Sequence, residues 1–177
     1  MKSKIKISIA KQEDFEAFYQ LITKTLKEGY FLYSPHSSSF ILQEGLSKKS
    51  LWEEFKKGNK PLYLAYIDGQ LVGYLLTFKS NGGVAFGHWL AVDRGFQRRG
   101  VALALLKFWE REAKKQGAHK LQLWTTENDI QFYKKVGFTL GGEFPDSWYG
   151  LDHFLFYKTL RKSNEKNFLR KYLKSKY

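Results

Sequence analysis

Polar and apolar residues alternate at the start of the chain and then take on helical spacing. The alternation from Lys4 to Ile9 predicts a strand with one buried face. Between Gln12 and Lys27, apolar residues follow the i, i+3, i+4, i+7, i+11 pattern of one helix face, at Phe15, Phe18, Tyr19, Ile22 and Leu26. Gly29 is a suitable stop for this helix. Residues 30–47 show no period, and we expect a long loop with at most one irregular turn of helix there.

The next segment predicts a short helix followed by three strands. Ser50 and Glu53 fit a capping box, so the helix is expected to begin at Ser50 and to end at Gly58. Strands are predicted at residues 61–67, 70–79 and 84–92, separated by the dipeptides Asp68-Gly69 and Asn81-Gly82. Because such dipeptides supply the positive φ angles of tight hairpin turns, the three strands are expected to form an antiparallel meander.

The second half of the chain alternates helices and strands. A helix is predicted over residues 99–116 and a strand over 121–125. A short helix over 128–136 and a strand pair at 138–143 and 150–160 follow, with Gly117 and Gly137 ending the two helices. The whole order is strand, two helices, three strands, helix, strand, helix, two strands. This order predicts an α/β protein with a mixed, mainly antiparallel sheet and helices on both faces.

Composition narrows the class of protein. A length of 177 residues and a hydrophobic content of 43% suit a single domain, which we place at residues 1–160. The 18% aromatic content argues against disorder. No apolar run reaches the roughly 20 residues of a membrane span, and the start lacks a signal peptide pattern, so a cytoplasmic location is expected. With no cysteine and four scattered histidines, no metal site is expected either.

Residues 161–177 form a basic C-terminal tail. The formal net charge is +13, and the tail contributes +6 of it through seven Lys or Arg against one Glu. A solvated tail is the simplest interpretation, and contact with nucleic acid or an anionic membrane surface is the alternative. The tail places Phe168, Leu169, Tyr172 and Leu173 on one side, a spacing compatible with a docked amphipathic helix.

The segment Gln97-Arg98-Arg99-Gly100-Val101-Ala102 lies between a predicted strand and the start of a helix. A helix start carries unpaired backbone N–H groups and partial positive charge, so it binds phosphate readily. Gly100 and Ala102 leave room for an anion, and Arg98 and Arg99 supply forked donors that match phosphate oxygens. By itself the pattern also fits an ordinary helix start with solvated arginines.

This segment resembles the signature of the GNAT superfamily of acyl-CoA-dependent N-acyltransferases, which is Gln or Arg, two residues, Gly, one residue, then Gly or Ala. Gln97, Gly100 and Ala102 match the signature, and Ala91-Val92-Asp93 extends the likeness upstream. Downstream, the segment Phe132 to Phe138 is similar to the family's Phe-Tyr-x-x-x-Gly-Phe element. The resemblance covers roughly residues 5–160.

The resemblance implies an acetyl-CoA-dependent N-acetyltransferase, monomeric or homodimeric, in which strands four and five splay apart to admit the cofactor. It implies that the pantetheine arm lies along Leu90, Ala91 and Val92. Backbone N–H groups over residues 97–102 would hold the pyrophosphate, and the acyl group would lie between Trp89 or Leu90 and Trp124-Thr125. Members often use a tyrosine at the place of Tyr133 to protonate the departing thiolate. The alternative for Tyr133 is a packed core residue.

Two positions depart from the family pattern. Thr126 stands where members frequently carry Asn, and Asn128 two residues later is either a cofactor contact or a helix N-cap. Phe86 aligns with the glutamate that some members use as general base. His88 lies on the same strand face and is the first candidate for the base, with Glu127, His36 or an ordered water as alternatives.

The resemblance also implies that the acceptor is a primary amine of a small molecule or peptide. In the family, the acceptor meets the first helix, the loop after it and the last strand pair. Those regions carry an aromatic set here: Tyr30, Phe31, Tyr33, His36, Phe40, Trp148, Tyr149 and His153. This set favours a flat or apolar amine over a polyamine, although Glu28, Glu44, Asp146 and Asp152 keep a polyamine open. The rival hypothesis is a catalytically weak CoA-binding or basic nucleic-acid-binding module of the same fold.

Overall fold

A seven-stranded sheet forms the centre of the protein. The computed structural model describes residues 4–174, and within them the strands follow the order β1-β2-β3-β4-β5-β7-β6. All neighbours are antiparallel except β4 and β5. The strand bounds are β1 Ile5–Ile9, β2 Leu62–Ile67, β3 Gln70–Asn81, β4 Val84–Val92, β5 Lys120–Thr125, β6 Thr139–Phe144 and β7 His153–Thr159. The mixed, mainly antiparallel sheet predicted from the sequence is thereby confirmed.

Seven α-helices accompany the sheet in the described residues. Their bounds are α1 Phe15–Lys27, α2 Pro35–Gln43, α3 Lys48–Lys56, α4 Val101–Lys115, α5 Ile130–Lys135, α6 Glu165–Phe168 and α7 Arg170–Lys174. Short 3₁₀ turns precede α1 and α5. No helix within residues 4–174 has the length and apolar character needed to cross a membrane.

The predicted β2-β3-β4 meander is present, with one turn shifted. Asp68 and Gly69 both adopt positive φ, at 50° and 82°, as the first hairpin requires. At the second hairpin the positive φ angles belong to Gly82 and Gly83, at 55° and 80°. The prediction of an Asn81-Gly82 turn was therefore wrong by one residue. Two consecutive glycines adopt this conformation at less cost than Asn followed by Gly, so β3 continues through Asn81.

The expected loop at residues 30–47 contains a regular helix, α2, so that prediction was wrong. Ser34 is its N-cap and accepts a hydrogen bond from the Ser37 backbone N–H at 3.1 Å, and Pro35 fills the first helical position. Within α2 only Ser38 and Ile41 are buried, so the sequence carries little helical periodicity. The start of α3 was also misplaced, because Ser47 occupies the N-cap and Ser50 lies inside the helix.

Two hydrophobic clusters pack on opposite faces of the sheet, so the expectation of helices on both faces is confirmed. The first cluster lies under α4, which buries Val101, Leu105, Leu106, Trp109 and Ala113. Burying each large side chain of this kind contributes about 1.5–3 kcal/mol. The second cluster joins α1, α2 and α3 to strands β2, β3 and β4. Because the second cluster includes no residue of β5, β6 or β7, space remains on that face beside β4.

Strands β4 and β5 pair over only part of their length. The parallel register runs from Val84 opposite Lys120 to Gly87 opposite Leu123, and no pairing follows up to Val92 and Thr125. In β4 the pairing with β3 skips His88, since Trp89 lies opposite Leu76 and Gly87 lies opposite Thr77. His88 is thus the extra residue of a β-bulge, which bends the strand. The splaying of strands four and five is present.

The basic tail packs on the end of α4. The Arg161 guanidinium donates hydrogen bonds to the carbonyls of Ala118 at 3.0 Å and Lys114 at 2.6 Å, and Arg170 donates to the Lys115 carbonyl at 2.6 Å. The tail forms two short helices, α6 and α7, instead of one. Phe168, Leu169 and Leu173 are half-buried, as the amphipathic spacing predicted, while the side chain of Tyr172 lies outside what the structure describes.

Candidate active site

The turn between β4 and α4 presents unpaired backbone N–H groups. Arg98 and Gly100 both adopt left-handed conformations, with φ of 58° and 87°. Left-handed residues alternating with other conformations turn successive N–H groups toward one side and form an anion-binding concavity. The N–H groups from Arg98 through Leu103 make no hydrogen bond among the described residues, and the first helical bond of α4 is from Ala104 to the Gly100 carbonyl. Unpaired N–H groups arranged in this way can accept an anion.

Contacts from α1 and Tyr30 hold this turn in place. Asp93 accepts a hydrogen bond from the Gly95 N–H at 3.1 Å and pairs with the Lys24 ammonium. The hydrogen bond from Lys24 keeps the pKa of Asp93 below its usual value. The Arg94 N–H donates to the Tyr30 hydroxyl at 2.8 Å. These contacts join the turn to two separate parts of the chain.

Gln97 closes the turn onto the end of β4. Its side-chain amide donates to the Val92 carbonyl at 3.0 Å. The resemblance implies that the Val92 backbone also binds the pantetheine arm. The bond from Gln97 uses one of the two lone pairs of the Val92 carbonyl oxygen and leaves the other free. The structure thus gives the Gln97 side chain a role in shaping the turn, in addition to the backbone role expected from the sequence.

A cleft of about 460 Å³ runs along this turn. It is lined by most of the residues expected to hold the cofactor: Leu90, Ala91, Val92, Gln97, Arg98, Gly100, Val101, Ala102 and Tyr133. Arg99 does not line it, because its guanidinium lies over the Phe96 ring, 5.2 Å from the centroid. Asn128 is exposed and lines neither this cleft nor the neighbouring cavity. The helix N-cap expected at Asn128 is in fact Asp129, so that prediction was wrong.

A second cavity, of about 400 Å³, lies where β4 and β5 separate. Trp89, Leu90, Trp124 and Thr125 line it, so the structure places a space where the acyl group was expected. Aromatic side chains from three parts of the chain line its walls: Tyr30, Phe31, Tyr33, Phe86, Trp148 and Tyr149. His153 also lines this cavity, whereas His36 and Phe40 do not. The aromatic set expected around an acceptor is thus largely brought together.

The loop between β6 and β7 holds two aromatic residues at the mouth of this cavity. Asp146 and Tyr149 adopt left-handed backbone angles, with φ of 47° and 61°, which are unfavourable for residues with a Cβ. Ser147 bonds His153 Nδ1 at 2.7 Å and the Leu151 carbonyl at 2.9 Å, which stabilises the loop. Trp148 and Tyr149 remain 49% and 47% exposed. The loop therefore presents two large rings to solvent beside the opening.

Tyr133 belongs to both cavities. Its ring packs against Phe132, Phe138 and Phe156, with centroid distances of 5.1–5.7 Å. The residue is only 7% exposed, and burial raises the pKa of its hydroxyl above the ordinary value near 10. The hydroxyl makes no hydrogen bond with the described residues. Tyr133 therefore keeps its proton at neutral pH and has that proton free to donate.

His88 lines the cavity but is a weak base. Burial, with a smaller contribution from the charge of Lys60, lowers the pKa of His88 to about 3. A group with such a pKa binds a proton only weakly at neutral pH. Two polar atoms at this wall, His88 Nδ1 and Trp89 Nε1, are buried without a hydrogen-bond partner in the described structure. Glu127, the alternative base named from the sequence, lines neither cavity.

Asp129 is the residue that sequence reasoning missed. It lines both cavities and lies one helical turn before Tyr133. The carboxyl stays open to solvent at the mouth while protein surrounds it on its other sides, and this partial desolvation raises its pKa. No three His, Asp or Glu side chains within residues 4–174 are grouped to hold a metal ion. The sequence signal available was an acidic residue shortly after a strand end.

The chain is similar to known acetyltransferases in sequence and in fold. The model of the acetyltransferase (GNAT) family matches residues 15–138, more than half of the chain. A PaiA N-acetyltransferase of Thermoplasma acidophilum in complex with coenzyme A superposes with a TM-score of 0.73 at 21% identity, covering 88% of this chain and 99% of the other. The ribosomal-protein-S18-alanine N-acetyltransferase of Escherichia coli gives 0.66 at 18% identity, covering 92% and 97%. The yncA protein of Salmonella typhimurium with its cofactor acetyl-CoA gives 0.72 at 16%, covering 92% and 97%.

Proposed function

Since the chain belongs to the GNAT acetyltransferase family, we propose that it transfers an acetyl group from acetyl-CoA to a primary amine of a small molecule or peptide by direct attack. The family makes it an acyltransferase. The observation that carries the proposal is the meeting of two cavities at Tyr133 and Leu90, one bordered by unpaired N–H groups and the other by aromatic side chains. An anionic donor and an organic acceptor would thus approach one point from opposite sides.

The β4–α4 turn fits the pyrophosphate of coenzyme A. Backbone N–H groups from Arg98 to Ala102 are unpaired, and a Cβ built at Gly100 meets no atom within 4 Å, so an anion has room to approach. Arg98 lines the cleft and supplies charge-assisted donors. Leu90 and Val92, beyond the paired part of β4, are proposed to bond the pantetheine arm. When bound, acetyl-CoA supplies a thioester, which is an activated acyl donor.

Tyr133 is proposed to deliver the proton that the leaving sulfur takes up. Its hydroxyl has no partner among the described residues, its raised pKa keeps it protonated at neutral pH, and it borders the path between the cleft and the aromatic cavity. A neutral phenol near the sulfur avoids release of a free thiolate into a desolvated site.

The rival function, a basic nucleic-acid-binding module, has less support. Arg161 and Arg170, two of the tail cations, donate to carbonyls at the end of α4. Such bonds stabilise a helix C-terminus, which carries partial negative charge. These side chains therefore have a structural use that accounts for part of the tail's charge.

A panel of amines and peptides with acetyl-CoA, monitored by detection of free thiol, tests the proposed function. We expect thiol release that depends on the amine and yields an N-acetylated product by mass spectrometry. Binding of acetyl-CoA without amine-dependent release would indicate a CoA-binding module instead. Salt-dependent binding of nucleic acid without any transfer would support the second form of the rival hypothesis.

A further inference from the structure

The two cavities contain one carboxylate between them. Among the described residues that line either space, Asp129 is the single Asp or Glu, and no Lys lines them. The acidic residues that the sequence offered for a polyamine, Glu28, Glu44, Asp146 and Asp152, line neither. The site therefore provides a single negative charge in largely aromatic surroundings.

Asp129 occupies a helix N-cap position without acting as a cap. Asp is among the preferred N-cap residues because its carboxylate can accept a backbone N–H. Here the Asp129 side chain accepts no such bond and forms no salt bridge among the described residues. Its carboxylate instead borders both cavities, one helical turn from Tyr133. Because this carboxylate is open to solvent at the mouth and has no partner among the described residues, a cationic ligand in either cavity can reach it.

We propose, on the basis of the proposed function, that Asp129 receives the ammonium group of the acceptor and takes a proton from it, and that the acceptor is a monoamine with a flat apolar body. The ammonium lies at the junction of the cavities and the body lies against the aromatic walls. Tyr33 and Trp89 provide such walls, with ring centroids 6.0 Å apart in an edge-on arrangement. Aromatic rings also attract a cation through their faces. A second ammonium would find no carboxylate.

The protons and bonds balance in this scheme. The ammonium nitrogen passes one proton to an oxygen of Asp129, and its lone pair then forms the C–N bond to the thioester carbonyl carbon. The C–S bond breaks, and sulfur takes the proton of Tyr133. The nitrogen has become acidic on forming the C–N bond, and its remaining excess proton restores the Tyr133 hydroxyl. Asp129 releases its proton to water, so the products are an amide, the free thiol and one proton.

Other titratable groups line the two spaces together with Asp129. They are Tyr30, Tyr33, Tyr133, Tyr149, His88, His153 and, in the cleft, Arg98. Burial holds the pKa of His88 near 3 and raises that of Tyr33 to about 12, so both are neutral at physiological pH. Partial desolvation raises the pKa of Asp129, which makes its carboxylate a somewhat stronger base than a fully solvated one.

The test compares Asp129→Asn with Glu127→Gln, which removes an exposed carboxylate two residues away that lines neither cavity. The probe is 2-phenylethylamine, and kcat/KM is measured from pH 6 to pH 10. We expect Asp129→Asn to lose on the order of 10²-fold at pH 7. The loss should shrink as pH approaches the amine pKa near 10, where free amine is abundant. Glu127→Gln should follow the wild-type profile.

Two results would overturn the proposal. One is a wild-type profile for Asp129→Asn, and the other is a loss that stays constant with pH, which would indicate a packing defect. If the wild type shows no turnover with 2-phenylethylamine or with any amine or peptide of the panel, calorimetry with CoA present decides. Binding of 2-phenylethylamine but not 2-phenylethanol, abolished by Asp129→Asn, would support the recognition part while the proposed function fails. Equal binding of both compounds to wild type and variant would overturn the recognition part as well.

Discussion

The proposed chemistry requires a specific property of each of two residues, Tyr133 and Gly100. Tyr133 must supply a proton from a buried position, and its ring must stay packed against Phe132, Phe138 and Phe156. Gly100 must hold a left-handed backbone and leave space above it. One residue contributes a functional group and the other contributes the lack of a side chain, so different variants test them.

Tyr133→Phe should lower kcat with little change in the affinity for CoA, because it removes only the hydroxyl and keeps the ring. General acid assistance contributes about 10²- to 10⁴-fold, and we expect the lower end because a thiolate is a fair leaving group. Steady-state kinetics and calorimetry with CoA measure the two quantities. The defect should shrink with a thioester of a more acidic thiol. Wild-type turnover would remove Tyr133 from the mechanism, and a parallel loss of CoA affinity would make it a binding residue.

Gly100→Val should weaken CoA binding by roughly 10- to 100-fold, the equivalent of one charge-assisted hydrogen bond of about 1.5–3 kcal/mol. The new side chain would project into open space where the anion approaches. It would also strain the backbone by about 1–2 kcal/mol, since φ is 87°.

Gly58→Val is the matched control for this strain. Gly58 has a φ of 69°, a Cβ added there would meet no atom within 4 Å, and the residue follows α3 away from both cavities. Both variants should lose similar stability in urea, and only Gly100→Val should lose affinity in a CoA titration. Similar CoA affinity in the two variants would mean that Gly100 is needed only for its backbone conformation.

At the scale of elements, the tail and α4 form one packed unit. Gly117 ends α4 with a φ of 93°, and a Cβ there would clash with the Asn167 carbonyl oxygen. The chain of the tail therefore passes directly over the end of the helix. The basic composition of the tail predicted solvation or contact with nucleic acid or a membrane surface, and its apolar spacing predicted a docked amphipathic helix, but neither indicated that it docks on the end of α4.

Arg161→Ala should lower Tm without changing kcat/KM. The guanidinium bonds two carbonyls at the end of α4, and its loss should cost about 1–2 kcal/mol. For a chain of this size such a change lowers Tm by roughly 2 to 8 °C. Lys162→Ala, at an exposed neighbouring position, is the control and should leave Tm unchanged. An unchanged Tm for Arg161→Ala would show that the tail does not stabilise α4.

Elements were predictable where local chemistry specifies them. The alternation of polar and apolar residues predicted β1, helical spacing predicted α1, and Asp68-Gly69 predicted the first hairpin turn. Helix α2 was missed because it buries little, so its sequence has no period, although Ser34-Pro35 was a start signal. The placement of the Asp129 and Arg99 side chains could not be predicted, because the direction of a side chain depends on packing around the turn, which spacing does not reveal.

At the scale of the whole molecule, acetyl-CoA should stabilise the fold. A ligand that binds only the folded state adds RT ln(1 + [L]/Kd), about 2.7 kcal/mol at a concentration of 100 Kd. For a domain of this size the expected rise in Tm is roughly 5 to 10 °C. Thermal unfolding with and without acetyl-CoA measures it, and Gly100→Val should show a smaller rise at the same concentration. No shift at millimolar ligand would count against the cofactor assignment.

Strands β4 and β5 form only a short parallel pairing, so the shape of the site depends on the angle at which the two strands separate. The N–H-rich turn follows β4, while Asp129 and Tyr133 follow β5, so the two halves of the site sit on separate antiparallel blocks. The blocks are joined at Val84–Gly87 and Lys120–Leu123, with Trp109 behind Gly87. The site lies beyond the end of this pairing, so the angle between the two blocks sets the distance across it. A Cβ at Gly87 would lie 3.0 Å from the Trp109 ring, so a substitution there would act on this angle without touching donor or acceptor.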